Sequence, residues 1–304
     1  MSICNICPRN CNVDRSLVKG FCGVFDTVKI SRAALHMWEE PCISGEKGSG
    51  TVFFSGCNMR CIFCQNKEIS LEGFGKEITI KRLCDIFLEL QAKGALNINL
   101  VTPTHYVPQI IQAVKLAKAK GLKLPILYNT GSYEKVETIK MLEGIVDIWL
   151  PDFKHIDEEA SVRYAQSPHY PEYAKAAIDE MVRQQPECVF DEDGIIQKGV
   201  IIRHLVLPGQ VKAAKKIMKY LHDRYGDKVF ISIMSQYVPC NDLSSCPEID
   251  RKITWDEYYE VVDYAVDLGI ENGFIQEEEA ADESFIPPFD LEGVEEIPEL
   301  PKKE

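Results

Sequence analysis

An alternation of strand-like and helix-like segments from residue 51 onward does most to narrow the choice of fold. Short apolar runs predict strands at Thr51–Ser55, Ile98–Val101, Ile126–Tyr128, Val146–Leu150, Val200–Leu207, Val229–Met234 and Gly273–Gln276. Helical spacing between them predicts helices at Ile80–Ala92, Val107–Lys120, Tyr133–Leu142, Pro171–Gln184, Val211–Arg224 and Trp255–Leu268. Such alternation predicts an α/β fold with a parallel sheet. Residues 51–276 are too few for eight ordinary βα units, so a partial barrel and an open doubly wound sheet both fit.

The two ends of the chain differ in composition from this middle part. Residues 1–50 are rich in cysteine, with Gly and Pro punctuation and little periodicity. The segment from Phe285 to Glu304 is rich in Pro and Glu, which predicts an extended or disordered tail. We therefore expect a cysteine-rich extension over residues 1–50, a barrel over residues 51–280 and an acidic tail over residues 281–304.

Charge and hydropathy exclude several classes of protein. The formal net charge of -13 argues against a broad nucleic-acid-binding surface. No apolar run approaches the roughly 20 residues that span a bilayer, so we expect no membrane partner. The first residues lack the basic and apolar regions of a signal peptide, which favours the cytoplasm. In a reducing compartment, a chain with twelve cysteines more often uses them for metal binding than for disulfides.

The clearest chemical signal is a loop directly after the first predicted strand, with cysteines at Cys57, Cys61 and Cys64. Their spacing lets one tight loop aim three thiolates at a common point, and Gly56 permits a sharp exit from the strand. An ordinary [4Fe–4S] site takes four cysteines. Three local cysteines would leave one iron open to a chelating small molecule. A zinc half-site or three free thiols are the alternatives.

With Phe63 before its last cysteine, this loop resembles the signature of the radical S-adenosylmethionine (SAM) enzymes. The resemblance implies a partial (β/α)6 barrel of TIM type, with the [4Fe–4S] cluster at the carboxyl ends of the strands. It also implies that SAM binds the open iron and accepts an electron from the cluster. The 5′-deoxyadenosyl radical released then removes a hydrogen atom from a substrate.

Polar residues after later strands are similar to those of glycyl-radical-enzyme activases. That resemblance places Asp152 and Lys154 near SAM and gives Arg203 a role in binding its ribose or carboxylate. It also implies that Asn129 and Thr130 face the ribose. A solvated loop for Lys154 and an arginine paired within the barrel for Arg203 are the alternatives. Tyr128 stands where activases have an aspartate, which puts a monovalent-cation site in doubt.

Two other strand ends depart from the family pattern. Thr102 and Thr104 stand where many radical SAM enzymes have a Gly-Gly-Glu segment that binds the SAM amino group, and we expect them to substitute for it. His105 is either a substrate contact or a buried hydrogen-bonding residue. Gln236 and Tyr237 end the sixth predicted strand and are further cofactor-site candidates. No residue is assigned as an acid, base or nucleophile.

A second cysteine set, Cys4, Cys7, Cys11 and Cys22, lies in the N-terminal extension. Four thiolates suffice for a tetrahedral zinc site or a second iron–sulfur cluster. Zinc would contribute folding energy to a segment with little core, whereas a cluster would suit an enzyme that needs electrons. Free thiols in a surface flap are the remaining alternative.

Taken together, the motifs resemble the PflX-like branch of pyruvate formate-lyase activating enzyme homologues. The resemblance implies a radical SAM oxidoreductase that receives electrons from a flavodoxin or ferredoxin. Its substrate is unidentified, and a protein, such as a glycyl radical enzyme, is one candidate. The competing interpretation is a non-catalytic iron–sulfur or zinc protein for electron transfer or interaction. Cys240 and Cys246 match no part of the general activase pattern.

Overall fold

A ten-stranded sheet forms the centre of the computed structural model, which describes residues 3–276 and 287–295. The strands are β1 (Lys29–His36), β2 (Ser49–Phe54), β3 (Lys76–Glu77), β4 (Ile98–Val101), β5 (Ile126–Thr130), β6 (Ile148–Pro151), β7 (Val189–Phe190), β8 (Ile196–Leu205), β9 (Phe230–Met234) and β10 (Gly273–Ile275). Their order is β10-β9-β8-β6-β5-β4-β2-β1-β3, and β7 pairs with β8. All pairs from β2 to β10 along this order are parallel. The predicted parallel sheet is therefore confirmed.

The sheet is a partial barrel, because its parallel strands from β2 to β10 follow one another in chain order, without the reversal of a doubly wound sheet. The strands at the ends of its order, β10 and β3, do not pair with each other within the described residues. Within the described residues, the sheet has antiparallel pairs only outside the parallel series: β1 pairs with β2 and β3, and β7 pairs with β8. Strands β2, β4, β5 and β6 are buried along their whole length. Strands covered on both faces in this way carry mostly apolar side chains, which is why they contain short apolar runs.

Amphipathic helices cover the outer face of the sheet. The helices are α1 (Pro41–Ser44), α2 (Lys67–Ser70), α3 (Ile80–Ala92), α4 (Val107–Ala119), α5 (Val136–Met141), α6 (Glu158–Ala165), α7 (Tyr170–Gln184), α8 (Val211–Tyr225) and α9 (Trp255–Asp267). Helix α3 shows the pattern: Leu83, Phe87 and Leu90 are buried on one face, and Thr79 caps its first turn by accepting from the Arg82 amide. None of the helices in the described part of the chain has the length and apolarity that crossing a bilayer requires.

The amino ends of the parallel strands are closed from inside by the short helix α1. Its residues Cys42 and Ile43 pack against Leu127 and Ile148 in a buried apolar cluster. Gly45, directly after α1, lies beside Ile195 and Leu96, which precede β8 and β4. Chemistry inside the barrel is therefore confined to the opposite end, where the strands finish.

Both chain ends take more part in the fold than their composition suggests. Strand β1 was not predicted, because its sequence KISRAALH does not alternate clearly between apolar and polar residues. Residues 287–295, part of the expected extended tail, lie along β1: Glu292 accepts from the Ala33 amide (2.8 Å), and Leu291 donates to the Ser31 carbonyl (3.0 Å). Arg32 adds ion pairs to Asp290 and Glu292. Residues 281–286 and 296–304 of the expected tail lie outside the described residues.

Candidate functional site

A cavity of about 250 Å³ opens at the carboxyl ends of the parallel strands. The three loop cysteines, Cys57, Cys61 and Cys64, line it. The other residues predicted for the cofactor site also line it, and they are Phe63, Thr102, Thr104, Asn129, Thr130, Asp152, Lys154, Arg203 and Gln236. The fold thus brings together, from several strand ends, side chains that are far apart in the chain. Their individual roles stay predictions.

The cysteine loop is held rigidly where it leaves β2. Gly56 has a φ of 86°, and a Cβ at this position would lie 2.6 Å from the Cys22 carbonyl oxygen, so no other residue fits. The Arg60 guanidinium donates to the carbonyl oxygens of Cys57 (2.7 Å) and Met59 (2.9 Å). The Met59 amide lies 3.4 Å from the Cys57 sulfur, in a hydrogen bond. These contacts fix the direction of the loop before any ligand binds.

The three thiols fit an iron–sulfur cluster bound by the chain. Burial raises the pKa of Cys57 to about 11 and that of Cys61 to about 12, so the metal-free thiols keep their protons and metal binding would displace them. Over residues 3–276 and 287–295, no three Cys, His, Asp or Glu side chains are arranged to hold one metal ion. A [4Fe–4S] cluster does not require that convergence, because its cysteine ligands bind different irons.

A buried network of charges forms one wall of the cavity, with Arg203 at its centre. The Arg203 guanidinium donates from Nε to Asp152 Oδ1 (2.8 Å), from Nη1 to Glu39 Oε2 (3.1 Å) and from Nη2 to Asn129 Oδ1 (2.7 Å). Lys154 Nζ donates to Asp152 Oδ2 (2.6 Å). Two cations and two carboxylates therefore neutralise one another inside the barrel.

The pKa shifts of this network follow from its geometry. Burial alone would raise the pKa of Asp152, but the charges of Arg203 and Lys154 outweigh it and hold that pKa below its usual value. Burial opposes charge on Lys154, yet Asp152 and the nearby Cys61 thiol raise its pKa above the usual value. Lys154 is thus a compact, fully charged ammonium close to the cysteine loop.

Glu39 is a site residue that the sequence did not reveal. It lies between β1 and α1, in the segment expected to be an extension, yet it lines the cavity and also accepts from Asn99 Nδ2 (2.9 Å). Its side chain is 9% exposed. A single Glu between two irregular segments carries no spacing signal, so only the pairing of β1 with β2 brings it to the barrel interior.

Glu134 is a second residue that was missed, and it changes the interpretation of two predicted ones. Its buried Oε1 accepts hydrogen bonds from the hydroxyls of Thr104 (2.6 Å), Thr130 (2.7 Å) and Tyr128 (3.2 Å). Both threonine hydroxyls are therefore directed to a carboxyl group of the chain. Thr102 instead has a strained, left-handed backbone with φ 58°, which is rare for a β-branched residue and is often found at functional sites.

Glu134 should make stability depend on pH. Burial raises the pKa of its carboxyl group to about 7. The folded state then retains a proton that the unfolded state releases, so this contribution to stability is full below about pH 4, declines as the pH rises and is lost above about 7. We expect Glu134→Gln to remove this dependence. The stability difference between wild type and variant should fall by roughly 3 kcal/mol between pH 4 and pH 8.

Chemical denaturation of both proteins across this pH range measures the difference. The exposed Glu137 provides the matched Glu137→Gln control, which should leave the pH dependence of wild type unchanged. A difference between wild type and Glu134→Gln that stays constant with pH would show that Glu134 ionises normally.

Three other candidates have their polar groups engaged by the protein itself. His105 does not line this cavity; it is buried, its Nε2 donates to the Ser55 carbonyl oxygen (2.8 Å), and burial lowers its pKa to about 3. Tyr237 lines the cavity, but its hydroxyl donates to the Ile249 carbonyl oxygen (2.6 Å). Cys246 is buried beside Arg163, whose Nε lies 3.4 Å from the Cys246 sulfur. These contacts are structural.

The N-terminal cysteines form a separate group that packs on the cysteine loop. All four have free thiols, with Cys7 and Cys22 buried and Cys4 and Cys11 half-buried. The Cys57 amide donates to the Cys22 carbonyl oxygen (3.2 Å), and Arg9 Nε donates to the Asn58 carbonyl oxygen (2.7 Å). This group therefore lies against the back of the loop that carries the three other cysteines.

Known proteins are similar to this chain in sequence and in fold. Residues 51–221 match the family model described as the radical SAM superfamily. An uncharacterised protein of Methanocaldococcus jannaschii is 29% identical over 272 residues, covering 86% of this chain and 74% of the relative. A pyruvate formate-lyase-activating enzyme of Clostridium pasteurianum is 29% identical over 120 residues, covering 36% of this chain and 46% of the relative.

One solved structure with the same fold is the FeFe-hydrogenase maturase HydG from Carboxydothermus hydrogenoformans, with a TM-score of 0.50 and 12% sequence identity. The match covers 75% of this chain and 53% of the maturase, so the chain spans about half the length of that protein. At this level of identity the likeness concerns the fold alone.

Proposed function

The chain belongs to the radical SAM superfamily, and we propose that it cleaves SAM reductively and uses the radical formed to abstract a hydrogen atom from a substrate. The supporting observation is that three thiols share one cavity with charged and polar side chains from the strand ends. A cavity with this combination can hold a cluster and a zwitterionic cofactor side by side.

Cys57, Cys61 and Cys64 would hold a [4Fe–4S] cluster with one iron left open. When bound, that cluster supplies the electron that splits the sulfonium of SAM and yields a 5′-deoxyadenosyl radical. The protein's part is to orient SAM and keep water out. Apolar side chains of the cavity wall, including Phe53 and Val101, serve the second purpose.

Lys154 is the residue best suited to bind the carboxylate of SAM. Its ammonium is charged and lies near Cys61. One of its three N–H groups donates to Asp152, which leaves two N–H groups to bind a ligand. An ammonium next to the cluster-binding loop would pair with a carboxylate as a point charge. Thr102 and Gln236, which also line the cavity, can supply further hydrogen bonds.

Arg203 acts in this proposal as a positioning residue. Its three nitrogens already donate to Asp152, Glu39 and Asn129. It would thus hold these acceptors in place for the ammonium or ribose hydroxyls of SAM. This differs from the direct contact with SAM that the resemblance to activases implied.

The proposal extends to cofactors and partners. A flavodoxin- or ferredoxin-class protein would supply electrons, and the four N-terminal cysteines would bind a second metal group. The thiols of the two cysteine sets suit a reducing compartment such as the cytoplasm. The substrate is either a small molecule or a protein; in an activase, it would be the glycyl loop of a partner enzyme inserted into the barrel mouth.

Anaerobic reconstitution with iron and sulfide, followed by SAM and dithionite, tests the reaction without a known substrate. We expect formation of 5′-deoxyadenosine and a change in the electron paramagnetic resonance (EPR) spectrum of the reduced cluster when SAM is added. A colourless zinc protein that is indifferent to SAM would contradict the proposal. For the activase subtype, the same mixture is incubated with a candidate glycyl radical enzyme, and a missing glycyl radical signal argues against that subtype.

A further inference from the structure

We propose that Cys4, Cys7, Cys11 and Cys22 bind a second [4Fe–4S] cluster. Whether this cluster is present does not depend on SAM cleavage. Its role in supplying electrons, in contrast, rests on the proposed function. Four observations support the site: the distribution of apolar residues in the segment, the grouping of its sulfurs, the groups that surround them, and the contact with the second cysteine set.

The N-terminal segment adds little to the apolar core before Cys22 and has its cysteines at its centre. Across residues 3–28 no helix or strand of two or more residues occurs, apart from an isolated bridge between Ile3 and Asp14. Cys7 and Cys22 are only 6% and 7% exposed, whereas Leu17 is 72% exposed. Val24 and Val28 are buried in the main core, but the part before Cys22 turns its leucine outward and its thiols inward. Bonds from thiolates to a metal group would supply folding free energy to that part.

The sulfurs of this segment are grouped. A Cβ placed on Gly20 would lie 3.5 Å from the Cys22 sulfur and 3.6 Å from the Cys11 sulfur, so both sulfurs face the same small space. Each of the four cysteines interacts electrostatically with at least one other: Cys7 with Cys11 and Cys22, and Cys22 with Cys4. The absence of a side chain at Gly20 keeps this space free.

Backbone amides and cations around the sulfurs suit thiolates bound to a cluster. The Phe21 amide donates to the Cys11 sulfur (3.3 Å), and the Arg9 backbone hydrogen-bonds the Cys7 sulfur. The buried Arg15 borders the same small space, because its Cδ would lie 3.5 Å from a Cβ placed on Gly20. Hydrogen bonds to the sulfurs and nearby positive charge stabilise the negative charge of a thiolate-bound cluster.

The connection to the other cysteine set favours an electron carrier over a purely structural ion. The Cys22 carbonyl oxygen accepts from the Cys57 amide at 3.2 Å, so one hydrogen bond joins a ligand of each set. Arg60, whose guanidinium holds the Cys57 loop, also donates to the Phe21 carbonyl oxygen. An electron from a low-potential ferredoxin- or flavodoxin-class donor could enter at the N-terminal cysteines and pass to the Cys57 loop, with no bond formed or broken and no proton moved.

Reconstituted full-length protein provides the test, with iron, sulfide and zinc measured per chain and EPR spectra recorded with and without SAM. We expect about eight irons in wild type and about four, half as many, in a Cys4→Ser/Cys11→Ser variant. That variant replaces the two half-buried ligands and should keep the SAM-responsive EPR signal. The Cys188→Ser control changes a half-buried thiol elsewhere in the fold and should keep about eight irons.

A second variant keeps the test decisive if the N-terminal substitutions cause that segment to misfold. The Cys57→Ala/Cys61→Ala/Cys64→Ala variant should retain about four irons, and its EPR signal should not change when SAM is added. Wild type with about four irons, or with zinc in the N-terminal cysteines, would overturn the inference while the SAM response leaves the proposed function intact. If wild type binds about eight irons but its EPR spectrum does not respond to SAM, the proposed function is contradicted and the second cluster is supported.

Discussion

Replacing Cys61 with alanine is expected to abolish 5′-deoxyadenosine formation, lowering its rate by at least about 10³-fold, because enzymes typically accelerate reactions by 10⁶-fold or more. Cys61 is the middle thiol of the loop and lies beside Lys154 in the cavity. With two thiolates left, the loop cannot hold a cluster with a single open iron. The rate is measured by chromatography of reactions with SAM and dithionite.

Cys188→Ala is the matched control for this loss. Cys188 is a half-buried free thiol outside the cavity, and its sulfur contacts the Val200 carbonyl oxygen at 3.6 Å. We expect this variant to form 5′-deoxyadenosine like wild type. If Cys61→Ala also retained SAM cleavage, the three-cysteine ligand set would be wrong and the cluster would have to lie elsewhere.

Replacing Arg203 with leucine is expected to lower the free energy of unfolding by about 3–5 kcal/mol. Arg203 is 13% exposed and is the shared partner of Asp152 and Glu39, whose side chains are 14% and 9% exposed. Removing the guanidinium leaves Glu39 without a cation and Asp152 with Lys154 alone. Burying a carboxylate without its partner costs more than an intact buried pair contributes. Denaturant unfolding followed by circular dichroism measures the change.

A second substitution distinguishes this cause from simple loss of packing. Adding Glu39→Gln to the Arg203→Leu variant should recover part of the lost stability, because the unpaired charge is then removed. Arg224→Leu removes a 55% exposed arginine whose partner Asp179 is 36% exposed, and it should change stability little. Equal losses for the Arg203 and Arg224 variants would mean that the buried network does not carry the stability assigned to it.

The repeating part of the fold could be predicted because its local patterns agree with the tertiary structure. Helix Ile80–Ala92 and strand Ile98–Val101 have the bounds expected from periodicity and from a continuous apolar run. Strand Lys29–His36 was missed because it pairs antiparallel at the margin of the sheet and has no clean alternation. The docking of residues 287–295 depends on contacts more than 250 positions away in the chain, which composition cannot reveal.

The candidate site divides in the same way. Cysteine spacing and the polar residues after each strand led to side chains that line one cavity, because parallel strands all end on the same side of a sheet. Glu39 and Glu134 were missed because each is a single acidic residue whose role depends on partners brought close only by folding. The partners of Glu134, in turn, are the threonines whose hydroxyls we had expected to face the cofactor.

The segment that runs along β1 has a consequence for association between copies of the chain. The Ser31 carbonyl and the Ala33 amide are backbone groups to which a strand of another molecule could bind, and residues 291–292 already occupy them. The same segment places Phe289 against Phe53 and Pro287 at the cavity wall. Proteolytic trimming before residue 287 would therefore leave the backbone groups of this sheet edge unpaired and, in the same cut, widen the mouth of the cavity.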